Sequence, residues 1–355
     1  MELGLNLATS ADSWKVVKRA EELGYSRAWF YDTHMLNADV FVAMAAAAMV
    51  TTRIRLGTGV LIPSNRIAPV AANALASVNA LAPGRVDFGV STGNTARSTM
   101  GLGPIKLADM ERYIRIVTAL LQHKTVEWEF EGLTRKIRFL NPEIGVINIR
   151  DPIPVHVSAA GPKSRRVTAA LGAEWMLPGS SVANALAALE DMRNAWREFG
   201  HDPHQRFASL VAGGCILSDG EPFDSPRAKA IAGPHAMSGL HGAVEVESLG
   251  FKRPPLPAKL APVLEAYRDV YSDYEPSDAR YLTNHRGHLM FLRPEEHQFC
   301  TADLIRERTF TGTASELLDR LRALRDGGFD HFSITIRHGH AEMLEEWAEL
   351  FAKLR

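Results

Sequence analysis

The stretch Thr51–Asn94, TTRIRLGTGVLIPSNRIAPVAANALASVNALAPGRVDFGVSTGN, decides the fold. Positions 53 to 62 are rich in β-branched and apolar residues and read as a strand. Positions 68 to 81 carry apolar residues at helical spacing, and Pro83-Gly84 stops that helix. Positions 86 to 91 are strand again. Two strands separated by one helix are parallel neighbours joined by a right-handed crossover. Gly57, Gly59, Gly89 and Gly93 cluster where the strands end, so a planar ligand can approach the backbone there.

The same rhythm extends in both directions. Upstream, a strand at 3–7, a helix from about 12 to 23, a strand at 27–31 and a helix at 40–50 are expected. Downstream, a helix from about 107 to 123 precedes VEWEFEGLTRKIRFL. This segment alternates around Gly132 and predicts a β-hairpin. Strands at 154–158, 174–177 and within 207–217 then alternate with helices from about 162 to 171 and 182 to 199. From about 218 to 311 the pattern is irregular. Thr313-Ala-Ser-Glu316 has the form of a capping box, and a helix to 325, a strand at 331–336 and a helix from about 341 to 354 follow. Eight strand–helix units predict an α/β protein, a (β/α)8 TIM barrel. It carries a hairpin after strand 4 and a long insertion, about 218–311, after strand 7. The expected organisation is a single barrel domain over 1–355. A doubly wound sheet is disfavoured, because Ala8-Thr9-Ser10 follows the first strand where a dinucleotide fold carries glycines.

The net charge of −1 over 355 residues gives no reason to expect nucleic acid or an anionic membrane as partner. Cys215 and Cys300 are far apart and lack metal-ligand spacing, as in a reduced, cytoplasmic protein. MELGLNLATS lacks the basic and long apolar segments of a secretion signal. The alanine run at 43–48 reads as buried helix, not a membrane span.

Barrel active sites sit at the C-terminal ends of the strands, which sorts the candidates. Asp32 and His34 follow strand 2, a pairing suited to proton transfer; the plainer reading is a helix cap and a solvated imidazole. Gly59-Val60 follows strand 3. Thr92-Gly93-Asn94 offers small polar groups after strand 4. Ala159-Ala160-Gly161-Pro162-Lys163 follows strand 5 and opens a helix whose free N–H groups suit a phosphate, with Lys163, Arg165 and Arg166 adding charge; the plainer reading is an ordinary turn with the basic residues on a solvated face. Arg280, Tyr281, His285, Arg286 and His288 lie in the insertion, with structural and substrate-lining roles both open. The His285–His288 spacing matches neither a helical metal face nor a zinc motif, and no metal is expected there or at His201-Asp202-Pro203-His204. No Gly-Xaa-Ser-Xaa-Gly elbow supports a serine hydrolase.

Taken together, GTGVLIP, ALAPGRVDFGVSTGN, SAAGPKSRRVTAALGAEWML and FTGTASELLDRLRALRDGGFDHFSITI resemble the luciferase-like oxidoreductases. That family uses FMN or the deazaflavin coenzyme F-420, and the nearest likeness is to its methylenetetrahydromethanopterin-reductase-like branch. The resemblance implies a cis peptide at Gly59-Val60 behind the flavin ring. It implies ring-edge contacts from Thr92, Gly93 and Asn94, and a phosphate cradle at Ala159, Ala160, Gly161, Pro162 and Lys163. Asp32 and His34 match the catalytic loop, with His34 where luciferases carry a base. The F-420 reductases more often place histidine one position earlier, where this chain has Thr33. Some sugar-phosphate dehydrogenases of the group carry glutamate where this chain has Asn94, which argues against that specific activity.

The expected activity is F-420-dependent hydride transfer to or from a small-molecule substrate. The alternatives are an FMN-dependent monooxygenase, which needs a separate flavin reductase, and a non-catalytic flavin-binding barrel. A homodimer is implied by the resemblance.

Overall fold

In the computed structural model, residues 1–246, 249 and 256–354 are described. The part of the expected insertion at 247, 248 and 250–255 lies outside them, as does residue 355. Eight parallel strands close into a barrel. They are β1 (Glu2–Leu7), β2 (Arg27–Phe30), β3 (Arg55–Thr58), β4 (Val86–Val90), β5 (Val155–Ser158), β6 (Glu174–Pro178), β7 (Ala208–Ala212) and β8 (His331–Ile336). Each pairs with the next in sequence, and β8 returns to β1, with Glu2 opposite His331 and Leu7 opposite Ile336. Helices cover the outside, so β4 and β8 are buried along their whole length. That double burial is why these strands read as near-continuous apolar runs.

Trp29 fills the barrel interior and is fully buried. A Cβ on Gly57 would stand 2.4 Å from its ring, and one on Gly59 would stand 2.5 Å from its Cβ. A Cβ on Gly89 would fall 2.0 Å from the Thr58 carbonyl oxygen. Gly57 and Gly89 therefore serve core packing, which corrects the expectation that the strand-end glycines open space for a ligand. Toward the N-terminal ends of the strands, a polar group closes the barrel. Asp87 accepts from Arg55 Nη2 at 2.7 Å and Nε at 2.9 Å, with Arg27 Nε and His156 Nε2 each at 3.5 Å.

The hairpin follows the β4 unit as expected. Val126–Phe130 pairs antiparallel with Leu133–Ile137, and Glu131 and Gly132 make the turn with φ of 53° and 74°. The expected strand within 207–217 divides into β7 and a two-residue strand, Ile216–Leu217, which pairs with Gly312–Thr313. The segment read as irregular is largely helical: Pro226–Val244, Ala261–Ser272 and Ala302–Arg308. The first of these hides in the sequence because Gly233, Pro234, Gly239 and Gly242 interrupt its periodicity. Both cysteines are buried and unpaired, and burial pushes each thiol up to about 12. Among the described residues, no helix is long and apolar enough to cross a membrane.

Candidate active site

β3 ends at Thr58, and the next peptide, Gly59–Val60, is cis. That geometry is the one the family resemblance implies. β4 ends at Val90, after which Gly93 turns the chain at φ 86° into a short helix, Asn94–Ser98. A Cβ on Gly93 would meet Ile62 Cγ2 at 2.5 Å, so both the backbone angle and the space require glycine.

These two strand ends bound a cavity of about 220 Å3. Gly59, Val60, Gly93, Asn94 and Ser158 line it, together with Asp32 and Thr33. Tyr31 and Thr335 join across the barrel mouth, with oxygens 3.1 Å apart. Burial raises the Tyr31 phenol above its usual range, so its proton stays on. A larger groove of about 850 Å3 runs between the hairpin and the helix Leu107–Leu121. It lies on the flank and contains no barrel-strand residue, so it is remote from the strand-end chemistry.

The two residues singled out after β2 part company. Asp32 is buried, and its carboxylate is engaged by Arg66 Nη1 at 2.7 Å, the Ile62 amide at 3.1 Å and Asn65 Nδ2 at 3.1 Å. It ties the loop after β3 to the loop after β2. His34 is exposed, with Nε2 3.2 Å from Met100 Sδ, and does not line the cavity; its neighbour Thr33 does. Thr92 is likewise outside the lining, and its carbonyl accepts from the Ile105 amide at 3.0 Å.

After β5, Pro162–Ala170 forms a helix with Gly161 at its N-cap and Pro162 in the first turn. The Gly161 amide donates to Ser164 Oγ at 3.2 Å, while the nearest atom to a Cβ there would be 3.9 Å away. The space in front of this helix start is open, Ala160, Pro162 and Lys163 are exposed, and Ala159 is buried beneath them. A phosphate fits such a dipole end. Arg165 and Arg166 are ion-paired elsewhere, to Asp191 at 3.0 Å and to Glu198, whereas Lys163 is exposed at the helix start.

Sequence reasoning missed His235. It projects from the Pro226–Val244 helix into the cavity, against Gly213. Burial, reinforced by Arg337 and Arg308, pushes its pKa down to about 3 and keeps the imidazole neutral. Its Nδ1 is buried without a hydrogen-bond partner among the described residues. A lone histidine inside a Pro- and Gly-broken helix gives no sequence signal of this. A buried, unpartnered imidazole nitrogen on a residue that lines a cavity suits a ligand with polar atoms.

A closed parallel barrel with its pocket at the strand ends defines a TIM-barrel protein. The model of the luciferase-like monooxygenase family matches residues 8–331, and the chain belongs to that family. It is 25% identical over 237 residues to a 5,10-methylenetetrahydromethanopterin reductase of Methanolobus tindarius, covering 65% of this chain and 69% of the relative. It is 33% identical over 156 residues to a coenzyme F-420-dependent glucose-6-phosphate dehydrogenase of Kineococcus radiotolerans. That match covers 41% of this chain and only 45% of the relative. The fold is similar to that of the coenzyme F-420-dependent tetrahydromethanopterin reductase of Methanopyrus kandleri, with TM-score 0.74 at 17% identity over 100% of this chain and 99% of the other. It is also similar to the FMN-bound oxygenating constituent of the 3,6-diketocamphane monooxygenase of Pseudomonas putida. There the TM-score is 0.60 at 14% identity over 98% and 95%.

Proposed function

We propose that the chain is a coenzyme F-420-dependent oxidoreductase acting by hydride transfer to or from a small organic molecule. The observation that carries this reading is the strand-end cavity. Gly59, Val60, Gly93, Asn94 and His235 all line it, and the Pro162 helix starts after the neighbouring strand β5, whose last residue, Ser158, lines it too; this supports the reading. A deazaflavin supplies two-electron chemistry when bound. The chain's own part is to hold it and shape the reacting space. Gly59 and Val60 back the ring, Gly93 and Asn94 meet its edge, and Thr92 supports that loop through its carbonyl. Ala159, Ala160, Gly161, Pro162 and Lys163 hold the phosphate. Asp32 fixes the loop after β3 through Arg66, and His34, exposed two residues on, is the proposed proton-transfer group. His235 offers a neutral nitrogen to the ligand.

The family's FMN members favour a second reading, a monooxygenase supplied with reduced flavin by a separate reductase. A non-catalytic flavin-binding barrel ranks below both. Under the leading reading the whole chain works as one barrel unit, cytoplasmic and homodimeric. Exposed Val42, Met49, Ile67 and Val70, on neighbouring barrel helices, supply an apolar face for the second copy.

The decisive experiment titrates the purified protein with F-420 and with FMN. F-420 binding at about micromolar affinity or tighter, with FMN at least tenfold weaker, is the expected result. Tight FMN binding without F-420 binding removes the reductase reading and leaves the monooxygenase. Binding of neither removes both.

A further inference from the structure

Three buried histidines in the insertion converge on one point. His241 lies near the end of the Pro226–Val244 helix, and His285 and His288 lie on the turn after Tyr281–Asn284. His241 Nδ1 is 2.8 Å from His288 Nδ1, and His285 Nδ1 is 3.3 Å from the same atom. One ligand nitrogen from each residue lies within 4.8 Å of the other two.

The far side of each ring is tethered. His241 Nε2 is 2.5 Å from Glu296 Oε1, and His285 Nε2 is 2.8 Å from Glu245 Oε2. His288 Nε2 is 3.3 Å from Thr95 Oγ1. Arg293 Nη2 stands 2.8 Å from Glu296 Oε1, and its guanidinium is nearly fully buried. A carboxylate facing Nε2 places the imidazole proton there, so Nδ1 of His241 and of His285 carry lone pairs. One proton on His288 Nδ1 serves one of those two acceptors well; a cation serves all three nitrogens. Rings steered by carboxylates on one side and converging on the other are the arrangement of metal-binding histidines.

We propose that His241, His285 and His288 form a binding site for a divalent transition cation of the zinc type, held through their Nδ1 atoms. Nitrogens bound at about 2.0–2.1 Å to a tetrahedral cation stand about 3.3 Å apart. One measured spacing equals this value and the other, at 2.8 Å, is about 0.5 Å shorter, while the third pair lies within 4.8 Å. An all-imidazole donor set selects zinc, cobalt or nickel over magnesium or calcium. Oriented Nε2 partners make the site selective for that class. The cation joins the insertion's long helix to the 285–288 turn. Through Thr95 it also reaches the short Asn94–Ser98 helix after β4, and Thr95 and Leu289 both line the active-site cavity. The site thus adjoins residues that line the pocket.

The test uses untagged, full-length protein without flavin, equilibrated with Co2+ and dialysed. About one Co2+ per chain is expected, with the intense visible absorption of a four-coordinate site. Zinc-edge X-ray absorption of the Zn2+ form should show imidazole scattering. His285→Gln and His288→Asn should each cut bound metal at least tenfold, while His204→Gln, at an exposed loop position, should leave it unchanged. No retained metal in the wild type overturns the proposal. So does stoichiometry preserved in both variants. Should circular dichroism find both variants unfolded, the wild-type zinc edge decides, and absence of imidazole scattering overturns the site.

Discussion

Asp32 and His34 stand two positions apart after β2, yet the fold gives them opposite settings. Asp32 is buried and holds Arg66 at 2.7 Å, whereas His34 is exposed against Met100. Spacing alone left open a proton-transfer pair or a helix cap with a solvated imidazole, because it does not register which loop a carboxylate ties down. Removing one partner of a buried ion pair costs about 3 kcal/mol. Asp32→Asn should therefore lower the urea midpoint by that equivalent, with turnover falling as binding falls. His34→Ala should leave the urea midpoint unchanged and lower turnover selectively. Parallel denaturation and steady-state assays check both; a stable but inactive Asp32→Asn would return Asp32 to the chemistry. Gly93 was legible as a glycine at a strand end, but its reason, the Ile62 methyl filling the Cβ position, is tertiary.

At the scale of elements, signals written in adjacent residues came through. Thr313 Oγ1 accepts from the Glu316 amide at 3.4 Å, and Glu316 Oε2 accepts from the Thr313 amide at 2.8 Å, forming the expected capping box. The Pro162 helix start was also readable, but the commitment of Arg165 to Asp191 was not, because Asp191 comes from the next helix. With Lys163 exposed at the helix start, Lys163→Ala should weaken binding of a phosphate-bearing cofactor by about 1 kcal/mol, or about fivefold. The loss should shrink as salt rises, since exposed charges are screened. Cofactor titrations at low and high ionic strength measure this; an effect independent of salt would remove Lys163 from the cradle. The helix Pro226–Val244 escaped because its apolar residues are separated by glycine and proline. Burial among other helices, not periodicity, holds it together.

At the scale of the whole molecule, the polar closure of the barrel governs acid stability. Burial alone would raise the Asp87 carboxyl, but His156 and Arg55 hold it well below the usual carboxylate range. A carboxyl lowered in the folded state stabilises fully above its unfolded pKa and loses that contribution as pH falls. Stability should therefore decline as pH drops below about 4, by up to about 1.4 kcal/mol for each pH unit. Asp87→Asn should cost about 3–5 kcal/mol at neutral pH and flatten that acid limb. Urea midpoints at pH 3, 5 and 7 read both effects. An unchanged acid limb in Asp87→Asn would locate the titration elsewhere.

By itself the sequence determined the alternation of eight strands and helices, the hairpin and the strand ends that form the rim. These follow from periodicity, turn residues and caps, all encoded within a few neighbouring positions. Only the tertiary structure decided which rim residues face the cavity. It admitted Thr33 and His235, left His34 exposed and outside the lining, and joined His241 to His285 and His288 from 44 and 47 positions away. Such meetings depend on how distant elements pack, and packing distance is not written in local spacing.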